Sequence, residues 1–120
     1  MQEIFFLLLI LQIKHWFVDF VNQSQEEINT KGIYGHGIGL MHSAKHGVGT
    51  ALCILIVFGI PYMLVSIMVG FLDFILHYHI DFVKMKFGNR DITNPAFWTQ
   101  LGLDQMAHQM TYLGIAYILI

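Results

Sequence analysis

Among the ionisable residues inside the long apolar stretches of the sequence, eight form four pairs spaced four residues apart. Side chains at positions i and i+4 lie on one face of a helix. An ionisable group inside a membrane span costs about 2.5–3.5 kcal/mol on insertion scales, so it needs a partner, water or a bound cation. The pairs are His15/Asp19, His42/His46, His77/Asp81 and Asp104/His108.

The four pairs together predict a metal site in the interior of a helical protein. Imidazoles and carboxylates that converge between helices form a ligand set that suits zinc best and also suits manganese or iron. We therefore expect one or two divalent ions held by the eight residues His15, Asp19, His42, His46, His77, Asp81, Asp104 and His108. A proton- or ion-conducting polar core and a network of structural hydrogen bonds are the alternative interpretations.

Two ions side by side would suit hydrolysis of a phosphoester, because they activate water and stabilise charge on the phosphate. In such a site Asp19, Asp81 and Asp104 are the candidate catalytic carboxylates. Four further residues are expected to support the site or to contact a substrate: Asp73, Gln105, Lys45 and Lys84. The two lysines among them are expected to hold a phosphate group.

The residues around the pairs predict membrane-spanning helices. The chain of 120 residues is 56% hydrophobic and 12% charged, which is roughly half the charged fraction of an average soluble domain. This composition argues against a disordered protein and a nucleic-acid binder and favours an integral membrane protein. The net charge of −2 likewise predicts no polyanionic partner, and the single Cys53 excludes a disulfide framework.

Four segments reach the roughly 20 residues that a membrane span requires. They are Gln2–Asn22, Leu40–Ile60, Pro61–Phe87 and Pro95–Ile120. Asn94 is a candidate N-cap for the last segment, and Pro95 suits its first turn. We predict an all-α fold, a transmembrane four-helix bundle with up-down-up-down topology. A soluble four-helix bundle with a large core is the alternative.

The polar pairs also repeat along the chain. His15 and His77, Asp19 and Asp81, His42 and Asp104, and His46 and His108 are each 62 residues apart. We predict a single domain, 1–120, made of two tandem helical hairpins of about 1–60 and 61–120. An even number of spans in each hairpin would relate the copies by a pseudo-twofold axis along the membrane normal.

Basic residues predict the orientation. Lys31, Lys84, Lys86 and Arg90 lie on or beside the two longer links between segments, and the opposite end has no lysine or arginine. The positive-inside rule then places the longer links in the cytoplasm and both termini outside. The apolar N-terminal stretch has no basic region and no small-residue cleavage site, so we expect a retained helix rather than a signal peptide.

Four stretches of the chain resemble a known family. They are KHWFVDFVNQ, KGIYGHGIGLMHSAKHGVGT, HYHIDFVK and LGLDQMAHQMTY, and they are similar to domain of unknown function 3307, a family of small phage and bacterial integral membrane proteins. The resemblance spans nearly the whole chain and implies membrane residence rather than a particular reaction. We expect a protein of the bacterial inner membrane, and because its site would lie near the lipid headgroups, we expect membrane lipid as a partner. A fainter similarity, through His/Asp-rich helices, runs to inner-membrane proteins described as metal-dependent hydrolases.

These observations predict a metal-dependent hydrolase that acts at the cytoplasmic face on a lipid-linked or phosphate-containing substrate. One alternative is a non-enzymatic phage-type protein that alters the host envelope by superinfection exclusion or by forming a lesion. Another is a metal or proton transporter, although the outer halves of all four segments are almost wholly apolar. Small membrane proteins often self-associate, so a homo-oligomer is compatible with each of these functions.

Overall fold

The computed structural model describes residues 1–120 in full and contains five helices and no strands. Helix α1 covers Gln2–Trp16 and continues as a π-helical turn over Phe17–Val21. The other helices follow in chain order: α2 Gln25–Thr30, α3 Gly37–Phe58, α4 Met63–Phe87 and α5 Pro95–Ile118. The prediction of an all-α fold is confirmed.

Three helical stretches are long and apolar enough to cross a membrane. They are Gln2–Val21, Gly37–Phe58 and Ile60–Phe87. Large apolar side chains are exposed along these stretches, for example Phe5, Ile56 and Phe71. Such surfaces are favourable against lipid and unfavourable against water. These are the properties of a membrane protein.

The helix ends differ from the predicted segments for identifiable reasons. Helix α3 begins at Gly37 because the imidazole of His36 caps it, with Nδ1 accepting from the Ile38 N–H at 3.3 Å. Helix α4 begins at Met63 because Pro61 lies in a 3₁₀ turn, Ile60–Tyr62, that connects it to α3. The predicted N-cap of α5 is confirmed, since the Asn94 side chain accepts from the Ala96 N–H at 2.9 Å.

The sequence analysis missed helix α2, which lies in the first long link. The Ser24 hydroxyl accepts a hydrogen bond from the Glu27 N–H at 3.2 Å, and the Glu27 carboxylate accepts one from the Ser24 N–H at 2.6 Å. This reciprocal arrangement is a capping box, and its S-x-x-E spacing is a known sequence signature of a helix start. Helix α2 packs against α3.

The four long helices pack in a closed cycle, in which α1 and α4 each contact both α3 and α5. Helices α3 and α4 touch through their backbones at Gly47 and Gly70. A Cβ atom on Gly70 would lie 2.5 Å from the carbonyl oxygen of Gly47, and the reverse distance is 2.6 Å. Glycine at both positions therefore allows this close approach.

The interior has an apolar end and a polar end. The apolar core is at the end of the molecule that holds the chain termini and the α3–α4 turn. It includes Leu7, Leu11, Ile54, Val69 and Ile115. Towards α2, most of the buried residues are polar or charged. The fold therefore encloses a polar interior at the end that α2 covers.

Candidate metal centre

All eight residues of the four predicted pairs are buried, and they lie together in the polar end of the interior. We call this set the His/Asp cluster. Helices α1, α3, α4 and α5 each contribute one pair, and Asp19 lies at the centre of the π turn that follows α1. No member is more than 7% exposed: His15, Asp19, His42, His46, His77, Asp81, Asp104 and His108.

Asp19 joins the pairs of α1, α3 and α4. Its Oδ1 atom lies 2.9 Å from Nε2 of His42 and 3.0 Å from Nε2 of His46. The same oxygen is 3.6 Å from Nε2 of His77. Its Oδ2 atom lies 3.3 Å from Nε2 of His15. One carboxylate thus faces four imidazoles.

Asp81 has a corresponding position on α4. Its Oδ1 atom lies 3.2 Å from Nε2 of His108, and its Oδ2 atom is 3.3 Å from Nε2 of His77. His42 Nε2 is 3.5 Å from the same Oδ2 atom. The two buried carboxylates, Asp19 and Asp81, therefore share His42 and His77 between them.

Asp104 lies at the edge of the cluster. Its Oδ1 atom is 3.6 Å from Nε2 of His108, while its Oδ2 atom accepts from the Gln105 amide at 3.1 Å and lies 3.3 Å from Nζ of Lys84. It belongs to none of the side-chain groups whose ligand atoms could surround one ion. Its place is between the histidines and the surface lysine.

His77 is the most central imidazole. Three groups of side chains bring their ligand atoms within 4.8 Å of one another, and His77 belongs to all three. It is fully buried, and neither of its ring nitrogens forms a hydrogen bond within the protein. The groups are Asp19/His42/His46/His77, His15/His77/His108 and Asp19/His77/Asp81/His108.

His15 has partners on both ring nitrogens. Its Nε2 atom lies 3.0 Å from the Gln105 side-chain oxygen, which can only accept, and its Nδ1 atom lies 3.1 Å from the Tyr112 hydroxyl. The predicted supporting residue Gln105 therefore orients His15. In this arrangement His15 donates from Nε2 and is less available as a ligand than His77.

Lys31, in the link after α2, is a member of this site that the sequence analysis did not single out. It is 7% exposed, and its Nζ atom lies 2.7 Å from Asp81 Oδ2 and 3.8 Å from Asp19 Oδ1. The lysine partly neutralises the two carboxylates. Lys31 is far from Asp19 and Asp81 in sequence, and no spacing pattern predicts these ion pairs.

Glu27 on α2 covers the cluster from the same side. Its Oε1 atom accepts from Nζ of Lys45 at 2.5 Å and lies 3.4 Å from Nδ1 of His42. Burial raises the pKa of Glu27, but the hydrogen bonds from Lys45 and Ser24 outweigh that effect and lower the pKa to about 2. Lys45, a predicted phosphate contact, thus lies against Glu27 rather than against the cluster.

A second polar region lies next to the cluster, towards the apolar core. We call it the Lys14/Asp73 network, and it consists of Lys14, Thr50, Asp73 and Tyr112. Lys14 Nζ donates to Asp73 Oδ2 at 3.1 Å and to the Tyr112 hydroxyl at 3.0 Å. Thr50 donates to the same oxygen of Asp73 at 2.5 Å. Asp73 therefore contacts this network and not the histidines.

The cluster lies within the part of the chain that a known family shares. A family model matches residues 4–120, which include every member of the His/Asp cluster. The chain belongs to DUF3307, a family of proteins of unknown function. The resemblance that the motifs predicted is confirmed.

No curated protein and no solved structure matches this DUF3307 chain. The fainter similarity to metal-dependent hydrolases therefore gains no support from the comparisons.

The cluster has the chemistry of a cation site. Imidazole nitrogens and carboxylate oxygens are the ligands that zinc, manganese and iron take in proteins. Helical proteins form such sites from buried side chains on neighbouring helices. The groups of four around His77 offer ligand numbers that suit a tetrahedral ion.

Proposed function

We propose that this chain is a membrane-embedded metal-binding protein whose His/Asp cluster holds one or two divalent ions. The observation that carries the proposal is His77, buried with both ring nitrogens unpaired and close to two carboxylates. A buried polar group without a partner costs about 1–3 kcal/mol. A cation bound to Nε2 of His77, Asp19 and Asp81 removes that cost at this nitrogen and helps to balance the carboxylates. Zinc is the first candidate, followed by manganese and iron.

We further propose that α5 is a fourth membrane span and that the long helices form a four-helix bundle. Helix α5 has 24 residues, enough to cross a bilayer. Its Asp104 and His108 are buried, whereas the outer face carries six large apolar residues that are more than half exposed, together with one exposed polar residue, Gln109. The six apolar residues are Leu103, Met106, Met110, Leu113, Tyr117 and Ile118. The division suits a helix with lipid on one side and the cluster on the other.

Equivalent contacts support the proposal of two tandem hairpins. The closest carboxylate–Nε2 distance is 3.3 Å for His15/Asp19 and 3.3 Å for His77/Asp81. The contacts of His46 with Asp19 and of His108 with Asp81, each between α-helical neighbours in one hairpin, are 3.0 and 3.2 Å. These equivalent contacts support the repeat, while the possible ligand groups all share His77, so the number of ions stays at one or two.

We place the site at the cytoplasmic face of a bacterial inner membrane, with both termini on the other side. The support is the distribution of charge. Lys31, Lys45, Lys84, Lys86 and Arg90 all lie at the end of the molecule that α2 covers. Lysine and arginine are enriched in cytoplasmic loops.

The activity we propose is hydrolysis of a phosphate ester. A divalent ion supplies water activation and charge stabilisation to such a reaction. Asp81 and Asp19 would hold the ion or accept a proton, and Asp104 would act from the edge of the cluster. The apolar core beyond the cluster suits a site open on one side more than it suits a transport path.

Metal analysis of the purified protein tests the metal centre, with variants on one helix. We expect His77→Ala to lower metal affinity at least about tenfold, since even supporting residues of metal sites have effects of that size. His79→Ala is the matched control, because His79 lies on α4 but is exposed. Wild-type protein without stoichiometric metal, or equal loss in both variants, would contradict the proposal.

The hydrolase activity is tested separately by phosphate release from a phosphate monoester with zinc-loaded protein. We expect activity that chelation and Asp81→Asn both abolish. If the protein binds metal but releases no phosphate, the proposed metal centre stands and the proposed hydrolase activity is wrong.

A further inference from the structure

Two pockets open beside the His/Asp cluster, and they share part of their walls. The first, which we call the basic pocket, has a volume of about 330 Å³ and includes Lys31, Lys84 and Arg90, with Asp81 at the cluster side. The second, the α4/α5 groove, has a volume of about 510 Å³ and is lined by apolar residues such as Val83 and Leu103. Both volumes are in the range of ligand sites in proteins.

The basic pocket suits a phosphate group. Three cationic side chains line it; Lys31 is paired with Asp81 at 2.7 Å, whereas Arg90 has no carboxylate partner. Arg90 uses one guanidinium nitrogen to donate to the Met85 carbonyl at 3.0 Å and has further N–H donors, which match phosphate oxygens well. Lys84 reaches Asp104 at 3.3 Å but keeps about a quarter of its side chain exposed, at 27%.

The α4/α5 groove continues from this pocket along the outer surface. Lys84 and Gln100 line both spaces, so the charged and apolar parts meet at these two residues. Val83 and Leu103 in the groove are more than half exposed, on helix faces that we assign to lipid. A ligand that fills both spaces must have a charged end and an apolar chain.

We propose that the basic pocket and the α4/α5 groove together bind a membrane lipid that ends in a phosphate monoester. The phosphate lies among Lys31, Lys84 and Arg90, beside Asp81, and one hydrocarbon chain lies in the groove. As a substrate assignment this rests on the proposed function. Water would form the new bond to phosphorus, the ester P–O bond would break, and the lipid oxygen would leave with a proton as an alcohol, releasing inorganic phosphate.

Lipid binding can be measured on chelator-treated protein in detergent, so that it does not depend on the metal centre. The probes are phosphatidic acid, diacylglycerol and inorganic phosphate. We expect phosphatidic acid to bind at least about tenfold more tightly than either of the others, the effect of one or two charge-assisted hydrogen bonds or of a buried chain. Equal binding of diacylglycerol, equal binding of inorganic phosphate, or no binding of phosphatidic acid would overturn the proposal.

Two variants separate the parts of the site. Arg90→Gln removes a cation from the exposed link, and Leu103→Trp fills the groove; each should weaken phosphatidic acid binding about tenfold. Leu113→Trp is the matched control, because Leu113 is also exposed on α5 but lies outside the groove. Unchanged binding in Leu103→Trp, or equal weakening in Leu113→Trp, would reject the groove as the chain site. Metal content measured on the same variants reports separately on the proposed function.

Discussion

The His/Asp cluster and the Lys14/Asp73 network are neighbours in the interior, yet their polar atoms are satisfied to different degrees. In the network, Lys14 and Thr50 both donate to Asp73, and Tyr112 bridges Lys14 to His15. In the cluster, both nitrogens of His77 and one oxygen of Asp104 form no hydrogen bond, and Asp81 Oδ2 is held by an ion pair with Lys31 at 2.7 Å. The same residue types therefore form a closed ion pair in one region and an open ligand set in the other.

The difference indicates what each region is for. A buried carboxylate with its own ammonium and hydroxyl partners needs no cation, although the network touches the cluster where Lys14 lies 3.5 Å from Nδ1 of His46 and Tyr112 lies 3.1 Å from Nδ1 of His15. The cluster places three carboxylates near Lys31 and Lys84 and leaves ligand atoms unpaired. Buried charge of that kind must be balanced, either by a protonated histidine or by the bound cation that we propose.

The largest effect should come from breaking the closed region. Lys14→Met leaves the charge of Asp73 buried without its ammonium partner, and loss of one member of a buried ion pair typically costs about 3–5 kcal/mol. The loss is measured as the difference in the free energy of unfolding between wild type and Lys14→Met in detergent. Metal stoichiometry should remain that of the wild type.

The double variant Lys14→Met/Asp73→Asn is the control for that experiment. It removes both charges while residue 73 can still accept from Thr50, so most of the lost stability should return. If the double variant is as unstable as Lys14→Met, the ion pair does not explain the effect. If Lys14→Met loses its metal as well, the division between the two regions is wrong.

Sequence spacing was sufficient to predict which side chains of the four helices would meet. Pairs at i and i+4 fix a helix face regardless of tertiary detail, which is why His15/Asp19 and His77/Asp81 could be placed together. The charged partners could not be found in this way. Lys31 reaches Asp81 from a link, and Lys14 joins Asp73 across helices, so both pairings depend on how the chain closes in three dimensions.

The helix starts could be predicted from local sequence, whereas the position of Lys45 could not. The Asn94-Pro95 start of α5 follows from local capping chemistry, and the S-x-x-E start of α2 was equally local but was overlooked. Lys45 was predicted to contact phosphate at the cluster. Its neighbour His46 suggested a place at the cluster, but the carboxylate of Glu27 on α2 holds it at the surface.

The close approach of α3 and α4 at Gly47 and Gly70 positions both the His/Asp cluster and the Lys14/Asp73 network. Gly70→Val adds side-chain atoms where even a Cβ would lie 2.5 Å from the Gly47 carbonyl oxygen, so α3 and α4 must separate. Overpacking of this kind costs about 1–3 kcal/mol. Because His46 stacks on His77 across this interface at 3.5 Å between ring centroids, metal affinity should fall along with unfolding stability.

Gly102→Ala provides the control for this change. A Cβ atom on Gly102 meets no other atom within 4 Å, and alanine favours a helix over glycine by about 0.5–1 kcal/mol. We expect stability to rise slightly and metal affinity to stay unchanged. A neutral result for Gly70→Val would mean that the close approach of the helices does not set the geometry of the cluster.

A pH dependence should distinguish the two regions, because α2 covers the cluster and not the Lys14/Asp73 network. The pKa of Glu27 is lowered to about 2 from its ordinary value of 4.5. A depressed carboxyl pKa contributes stability above the unfolded value, and that contribution is lost as pH falls from about 4.5 through about 2. The melting temperature of wild-type protein should therefore exceed that of Glu27→Gln at pH 6, and the difference should disappear in this acid range.

Ser24→Ala is the control variant, because it removes the N-cap of α2, at a typical cost of about 0.5–2 kcal/mol, and leaves the Glu27 carboxylate in place. We expect lower stability with part of the pH dependence retained, since Lys45 still faces Glu27. A constant difference between wild type and Glu27→Gln across the range would show that the Glu27 charge does not hold α2 over the cluster.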